Sequence, residues 1–325
     1  MADYKTLHGS NIEVVASDPS NPINGQVWYN TTSNVMKGFT SNATGAWASG
    51  GNINTARHLV GEAGIQTAAL IFGGQPNPAK DETESYNGST WTEVGDLNTA
   101  RNGIGSAGTN TSALGFGGEP GTVNTESWNA TSWTEVANLP ANKQNSGSCG
   151  ASNTSALFFG GAGNVTTNTS WNGSAWTELA DLNTGRANLT GAGIVTAALA
   201  TGGYINTLSA NSALNEQWNG TSWSEVADLN SARRLISCSC AGSTTAAVAF
   251  GGYTTADSAL TETWNGTSWT EVADLSVARY GGGGCGTQGS ALLAGGYSDA
   301  VTNSVSTEEW TEPITATVTF DATDV

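Results

Sequence analysis

Chemistry in a protein needs a nucleophile beside a base, paired carboxylates in a pocket, or clustered metal ligands. This 325-residue chain offers few such groups. It has two histidines, His8 and His58, and four cysteines, Cys149, Cys238, Cys240 and Cys285. No histidine lies near the cysteines and no Cys-x-x-Cys pair occurs, so a zinc site is not expected. The cysteines read as small buried thiols, with a disulfide as the alternative. The charged groups recur at fixed intervals instead. Six of the ten basic residues, Arg57, Arg101, Lys143, Arg186, Arg233 and Arg279, follow Trp47, Trp91, Trp133, Trp176, Trp223 and Trp269 by ten positions. Glu93, Glu135, Glu178, Glu225 and Glu271 follow a Trp by two, and Glu84, Glu126, Glu216, Glu262 and Glu308 precede an aromatic by two. A ring of bases around an axis could bind an anion. The reading adopted is the structural one: each base pairs with a repeated carboxylate and pins neighbouring units together.

The elements that position these groups follow from a repeat. Gly-Gly pairs begin at 73, 117, 160, 202, 251 and 295, spaced by 44, 43, 42, 49 and 44 residues. An apolar run precedes each pair, as in Ala69-Leu-Ile-Phe72, and an aromatic follows it: Tyr86, Trp128, Trp171, Trp218, Trp264 and Trp310. A second Trp lies five residues beyond the first five of these, across turns such as Asn87-Gly-Ser-Thr90 and Asn219-Gly-Thr-Ser222. Asn-Gly between β-type residues is a hairpin signal, because both tolerate positive φ. Each unit therefore reads as four strands, and four strands per 42–49 residues is the length of a β-propeller blade. The sixth unit ends at Trp310 without a fourth strand, and Trp47 supplies the missing one. The expected fold is all-β: a six-bladed propeller over 46–310, closed by an N-terminal strand inserted into the last blade. A seventh blade built on the C-terminal strand is the alternative count. Composition agrees. Forty-three Gly and 12 Trp with only 11% charged residues exclude a coiled coil, collagen and disorder.

The order Gly-Gly, aromatic, Trp, with a base ahead of the next first strand, resembles the kelch family over residues 46–310. That resemblance implies the propeller fold and says little about activity, because kelch propellers serve as enzymes, lectin-like modules and scaffolds. Its copper oxidase branch implies a metal held by two His and Tyr, which two histidines, one of them in the N-terminal arm, do not match. Six-bladed sialidases carry a Ser-x-Asp-x-Gly-x-Thr-Trp turn. The turns here, such as Trp218-Asn-Gly-Thr-Ser-Trp223, keep the Gly and Trp and lack the Ser and Asp. The expectation is a non-enzymatic protein without a cofactor.

The ends differ from the repeat. Residues 1–45 read as an arm and a β-hairpin, Gln26–Tyr29 against Val35–Phe39, and 311–325 as a C-terminal strand and tail. Gly25-Gln-Val-Trp-Tyr-Asn-Thr-Thr32 is similar to a short N-terminal module of bacteriophage tail-fibre and structural proteins. That resemblance implies docking to other virion proteins, with Trp28, Tyr29 and Phe39 as docking residues. A plain hairpin cap is the other reading. The C-terminal strand, Ile314–Phe320, is expected to pair with this hairpin or with a partner chain.

A net charge of −17 argues against nucleic acid and anionic membranes as partners. No apolar run is long enough for a transmembrane span. The first residues read as no secretory signal, so a virion assembled in the host cytoplasm is the expected location. Recognition is expected in the loops after Gly-Gly, which vary in length. Three begin with Tyr: Tyr204, Tyr253 and Tyr297, near Asn206, Asp257 and Asp299. These could stack on a sugar or peptide, or be ordinary loop tyrosines. The leading function is a virion protein displaying the propeller for adhesion to a host-surface glycan or protein. A bacterial kelch binding module outside any virion is the alternative, and homo-oligomerisation is left open.

Overall fold

The computed structural model describes residues 12–23, 25–42, 44–239, 241, 243–300 and 302–320, so His8 and Cys240 lie outside the described residues. The chain divides into two compact units: residues 47–311, and residues 1–46 together with 312–325. Both are built of strands.

In the larger unit the repeat becomes six four-stranded sheets. Sheet 1 is Gly61–Ile65, Ala68–Phe72, Thr83–Tyr86 and Trp91–Glu93, and sheet 2 is Gly105–Thr109, Ser112–Phe116, Thr125–Trp128 and Trp133–Glu135. Sheet 3 is Gly147–Ser152, Ser155–Phe159, Asn168–Trp171 and Trp176–Leu179, and sheet 4 is Thr190–Ile194, Ala197–Thr201, Asn215–Trp218 and Trp223–Val226. Sheet 5 is Ser237–Cys238, Ala247–Phe250, Thr261–Trp264 and Trp269–Glu271. Sheet 6 takes Gly283–Gly286, Ser290–Ala294 and Thr307–Thr311, and its fourth strand is Ala46–Ser49. Consecutive strands within sheets 1 to 5 pair antiparallel.

Local chemistry explains each turn. In the last hairpin of sheet 1, the Asn87 carboxamide oxygen accepts from the Ser89 and Thr90 N–H groups at 3.0 and 2.9 Å, and Gly88 takes φ 90°. The second strands are the core, and Leu70, Leu114, Leu157, Leu199, Val248 and Leu292 are fully buried. The first strands are glycine-rich because they crowd one another. A Cβ on Gly191 would lie 2.5 Å from the Ser148 carbonyl of the preceding sheet, and one on Gly284 2.6 Å from the Cys238 carbonyl.

Three sets of contacts join consecutive sheets. The fourth-strand Trp packs on the preceding sheet, as Trp133 on Phe72 at 4.6 Å between ring centres and Trp47 on Phe250 at 4.9 Å. Its indole N–H donates to a third-strand hydroxyl there: Trp91 to Thr307, Trp133 to Thr83, Trp176 to Thr125 and Trp47 to Thr261, at 3.0–3.1 Å. The N–H of each second Gly of a pair donates to the carbonyl of the next sheet's base at 2.8–2.9 Å, from Gly74 to Arg101 through to Gly296 to Arg57. Finally, six residues with φ of 52–63° bond head to tail. The N–H of Leu59 donates to Gly281, Gly281 to Leu235, Leu235 to Asn188, Asn188 to Asn145, Asn145 to Gly103, and Gly103 to Leu59.

The smaller unit is a sheet of four strands. Glu13–Val15 runs parallel to Val27–Asn30, which is antiparallel to Val35–Asn42. Ile314–Phe320 pairs antiparallel with Val35–Asn42, so the C-terminal strand joins the N-terminal hairpin. Asp18 organises the turn, accepting from Lys37 at 2.7 Å, Asn30 at 2.7 Å and the Trp28 indole at 3.0 Å. These bonds, led by that of Lys37, hold its carboxyl down at about 2.

Where sheets 3 and 4 carry Asn168 and Asn215 in place of the third-strand Thr, the Trp223 and Trp269 indoles are buried without an acceptor. A buried unsatisfied donor costs about 1–3 kcal/mol. Asn168→Thr is therefore expected to raise stability by about 1 kcal/mol in urea melts; an unchanged or lower midpoint would contradict the pairing rule.

Candidate functional site

The repeated bases sit at the join between sheets. Each lies in the connection leading into a sheet, and its carbonyl holds the Gly-Gly pair of the sheet before. Its side chain reaches the third-strand Glu of the sheet it enters. The ion pairs are Arg57–Glu84 at 2.9 Å, Arg101–Glu126 at 3.0 Å, Arg186–Glu216 at 2.9 Å, Arg233–Glu262 at 2.6 Å and Arg279–Glu308 at 3.0 Å. All ten residues are buried. Burial pulls the arginines below their ordinary range, and the facing glutamate pushes back. The other Glu oxygen is filled from the same connection: Asn54, Asn98, Asn183 and Asn230 each give it a backbone and a side-chain N–H at 2.7–3.0 Å. The glutamates that follow Trp by two, Glu93, Glu135, Glu178, Glu225 and Glu271, are exposed.

Lys143 departs from this arrangement. Its sheet has Thr169 at the Glu position and Pro140, which has no N–H, at the Asn position. The ammonium bonds two carbonyls, Phe158 at 3.4 Å and Thr167 at 3.2 Å, and lies 5.4 Å from the Phe158 ring centre. Desolvation holds it at about 8, against the attraction of Asp181 and Glu178.

The residue after each base pairs with the residue after each Gly-Gly. The six pairs are His58–Gln75, Asn102–Glu119, Gln144–Ala162, Ala187–Tyr204, Arg234–Tyr253 and Tyr280–Tyr297, joined by backbone hydrogen bonds of 2.7–3.2 Å. These positions are equivalent in backbone and different in chemistry. Sheets 1 and 2 present amides, with Gln75 donating to Asn102 at 3.2 Å, and the Glu119 carboxylate, which accepts from Asn145 at 3.2 Å. Sheets 4, 5, 6 and 1 present an aromatic arc. The Arg234 guanidinium lies between the Tyr204 and Tyr253 rings, 4.6 and 4.9 Å from their centres. Tyr253 meets Tyr280 at 5.6 Å, Tyr280 meets Tyr297 at 5.3 Å, and Tyr297 meets His58 at 5.3 Å. All six are half-buried. His58 is held below its ordinary value by desolvation, which outweighs its 2.6 Å bond to Asn303.

Of the six loop residues expected to bind, the structure brings the three tyrosines into this arc. Asp257 accepts from the Asp299 N–H at 2.7 Å, and its other oxygen is buried without a partner. Asn206 lies exposed on a separate 3-10 turn, Asn206–Leu208. Sequence reasoning missed Arg234, Tyr280 and His58. The signal was available, because the position after the base varies as much as the one after Gly-Gly. In the smaller unit Trp28 is wholly buried with its indole on Asp18, so it builds that sheet, while Tyr29 and Phe39 are half-buried. Cys149, Cys238 and Cys285 are buried.

The space lined by the left-handed residues, Leu59 and Leu235 among them, is a cavity of about 80 Å³, too small for an organic ligand. Among the described residues no group of three His, Cys, Asp or Glu could hold a metal ion. Among the described residues no helix is long and apolar enough to cross a membrane. No family model matches this chain, and no curated protein matches it.

Arg233→Met leaves Glu262 buried without its counter-charge and is expected to cost about 3–5 kcal/mol in urea melts. Lys143 behaves oppositely. Its ordinary value is 10.5 and it is held near 8, so between those values the unfolded chain binds more protons and stability rises with pH. Lys143→Met is expected to flatten that rise and to add about 1 kcal/mol near neutral pH. A loss comparable to that of Arg233→Met would contradict the difference between the two sites.

Proposed function

We propose that the larger unit is a six-bladed, kelch-like β-propeller closed by Ala46–Ser49, and that the chain is a non-enzymatic recognition protein of a bacteriophage virion. Three things support the architecture: the six four-stranded sheets, the pairing of Ala46–Ser49 into sheet 6, and the six-membered backbone ring that returns from Gly103 to Leu59. The observation that carries the function is the aromatic arc. A constant scaffold places Tyr204, Arg234, Tyr253, Tyr280, Tyr297 and His58 side by side at equivalent positions.

Rows of tyrosine offer flat apolar faces with polar edges, which suit the faces and hydroxyls of pyranose sugars. The exposed Asp299 carboxylate, close enough to Tyr280 to act on it electrostatically, is an acceptor for those hydroxyls. The ligand is accordingly a host-surface glycan. The virion assignment rests on the likeness of residues 25–32 to phage structural modules and on their lying in a separate compact unit. That unit attaches the protein to other virion proteins.

Two measurements test this reading. The purified chain is expected to bind at least one glycan on an array, and Tyr253→Ala to weaken that binding about tenfold without lowering the melting temperature. Binding to no glycan, or equal binding by the variant, would remove the arc from recognition. Particles of the encoding phage are expected to contain the chain by mass spectrometry; its absence from purified particles would remove the virion assignment.

A further inference from the structure

The one sheet that departs from the ion-pair rule also carries a pocket. A space of about 450 Å³ is lined by Lys143, Asn142, Gln144, Thr167, Ala162 and Val165 among others. That volume lies within the ~300–1,000 Å³ typical of ligand sites. Lys143 belongs both to this pocket and to the one sheet in which three repeat positions change together. Arg becomes Lys143, Glu becomes Thr169, and the Asn that would cap the carboxylate becomes Pro140. The Arg and Glu of the other five sheets, and the Asn that four of those sheets carry, are thus all replaced here.

The substitutions leave a cation without its carboxylate. Thr169 is buried and gives its hydroxyl to the Phe158 carbonyl, so it supplies no charge. Among the described residues Lys143 bonds only the two carbonyls, which leaves one of its three ammonium donors without a hydrogen bond to them. A largely buried cation is costly unless an anion completes it. Asp181 and Glu178 attract it, but neither lies within ion-pair distance. The walls contribute amides and a hydroxyl from Asn142, Gln144 and Thr167 beside the apolar Ala162 and Val165.

We propose that this pocket binds a small carboxylate-bearing sugar, a hexuronate in its simplest form, whose carboxylate pairs with Lys143. The carboxylate supplies the charge that the other five sheets carry internally. The sugar hydroxyls meet Asn142, Gln144 and Thr167. The site is distinct from the aromatic arc, which lies on other sheets, and rests on a different observation.

The probe is D-glucuronate, with D-glucose as the uncharged control, titrated against the full chain by calorimetry and by thermal shift. Saturable binding of glucuronate with a millimolar or tighter dissociation constant is expected, with no binding of glucose. Lys143→Met is expected to abolish it. Thr169→Glu, which restores the internal carboxylate, is expected to abolish it as well in a chain that stays folded. Tyr253→Ala is expected to leave it unchanged, which separates this site from the arc. The proposal is overturned if glucuronate does not bind, if glucose binds equally, or if either pocket variant retains wild-type affinity.

Discussion

The residue that begins each sheet is held from two sides. Its carbonyl accepts the N–H of the preceding sheet's second glycine, and its side chain crosses into the sheet it starts. Both bonds constrain the neighbourhood. The first glycine of the pair must approach the same carbonyl closely at positive φ: a Cβ on Gly117 would sit 2.4 Å from the Lys143 carbonyl. The glutamate must be buried, and its second oxygen must then be filled from the same connection, by an Asn in four sheets and by the Ser276 N–H in sheet 6. An ion pair this deep gains little over a hydrophobic replacement, yet it is expensive to break. Its value here is positional, because it fixes where one sheet ends and the next begins.

Fixing that connection also fixes the residue that follows it. The position after the base and the position after Gly-Gly are bound to each other through the backbone, so their side chains are free to differ. The scaffold uses main-chain bonds, glycines and buried pairs, and none of these depends on the twelve residues of the six pairs. That separation lets three tyrosines, an arginine and a histidine stand next to Tyr280 without disturbing the packing beneath. It also allows one sheet to lose its Arg, Glu and Asn together, since the Lys143 carbonyl still holds Gly118 at 2.8 Å.

The all-β class and the four-stranded antiparallel sheets were legible because Gly-Gly, Asn-Gly and Trp each answer to a single backbone requirement. Third-strand and fourth-strand boundaries match the repeat positions for the same reason, as in Thr83–Tyr86 and Trp91–Glu93. The direction of the bases was harder. Sequence spacing suggested pins between neighbouring units, whereas each side chain pairs within the sheet it enters and its carbonyl makes the bond to the sheet before. The left-handed ring was illegible, because Leu59 and Leu235 carry no sign of positive φ and are held there only by tertiary bonds. The arc was half legible. Its tyrosines followed a visible marker, while Arg234, Tyr280 and His58 needed the pairing of two loops distant in sequence.

Residue-resolved hydrogen exchange tests the central claim most directly, that all six joins share the same backbone bonds and that the backbone ring is continuous. The amides of Leu59, Gly103, Asn145, Asn188, Leu235 and Gly281 each donate to the next member of that ring. They are expected to exchange together and slowly, through one cooperative opening close to global unfolding. If one or two of the six exchanged much faster than the rest, the ring would be open at that join and the account would fail.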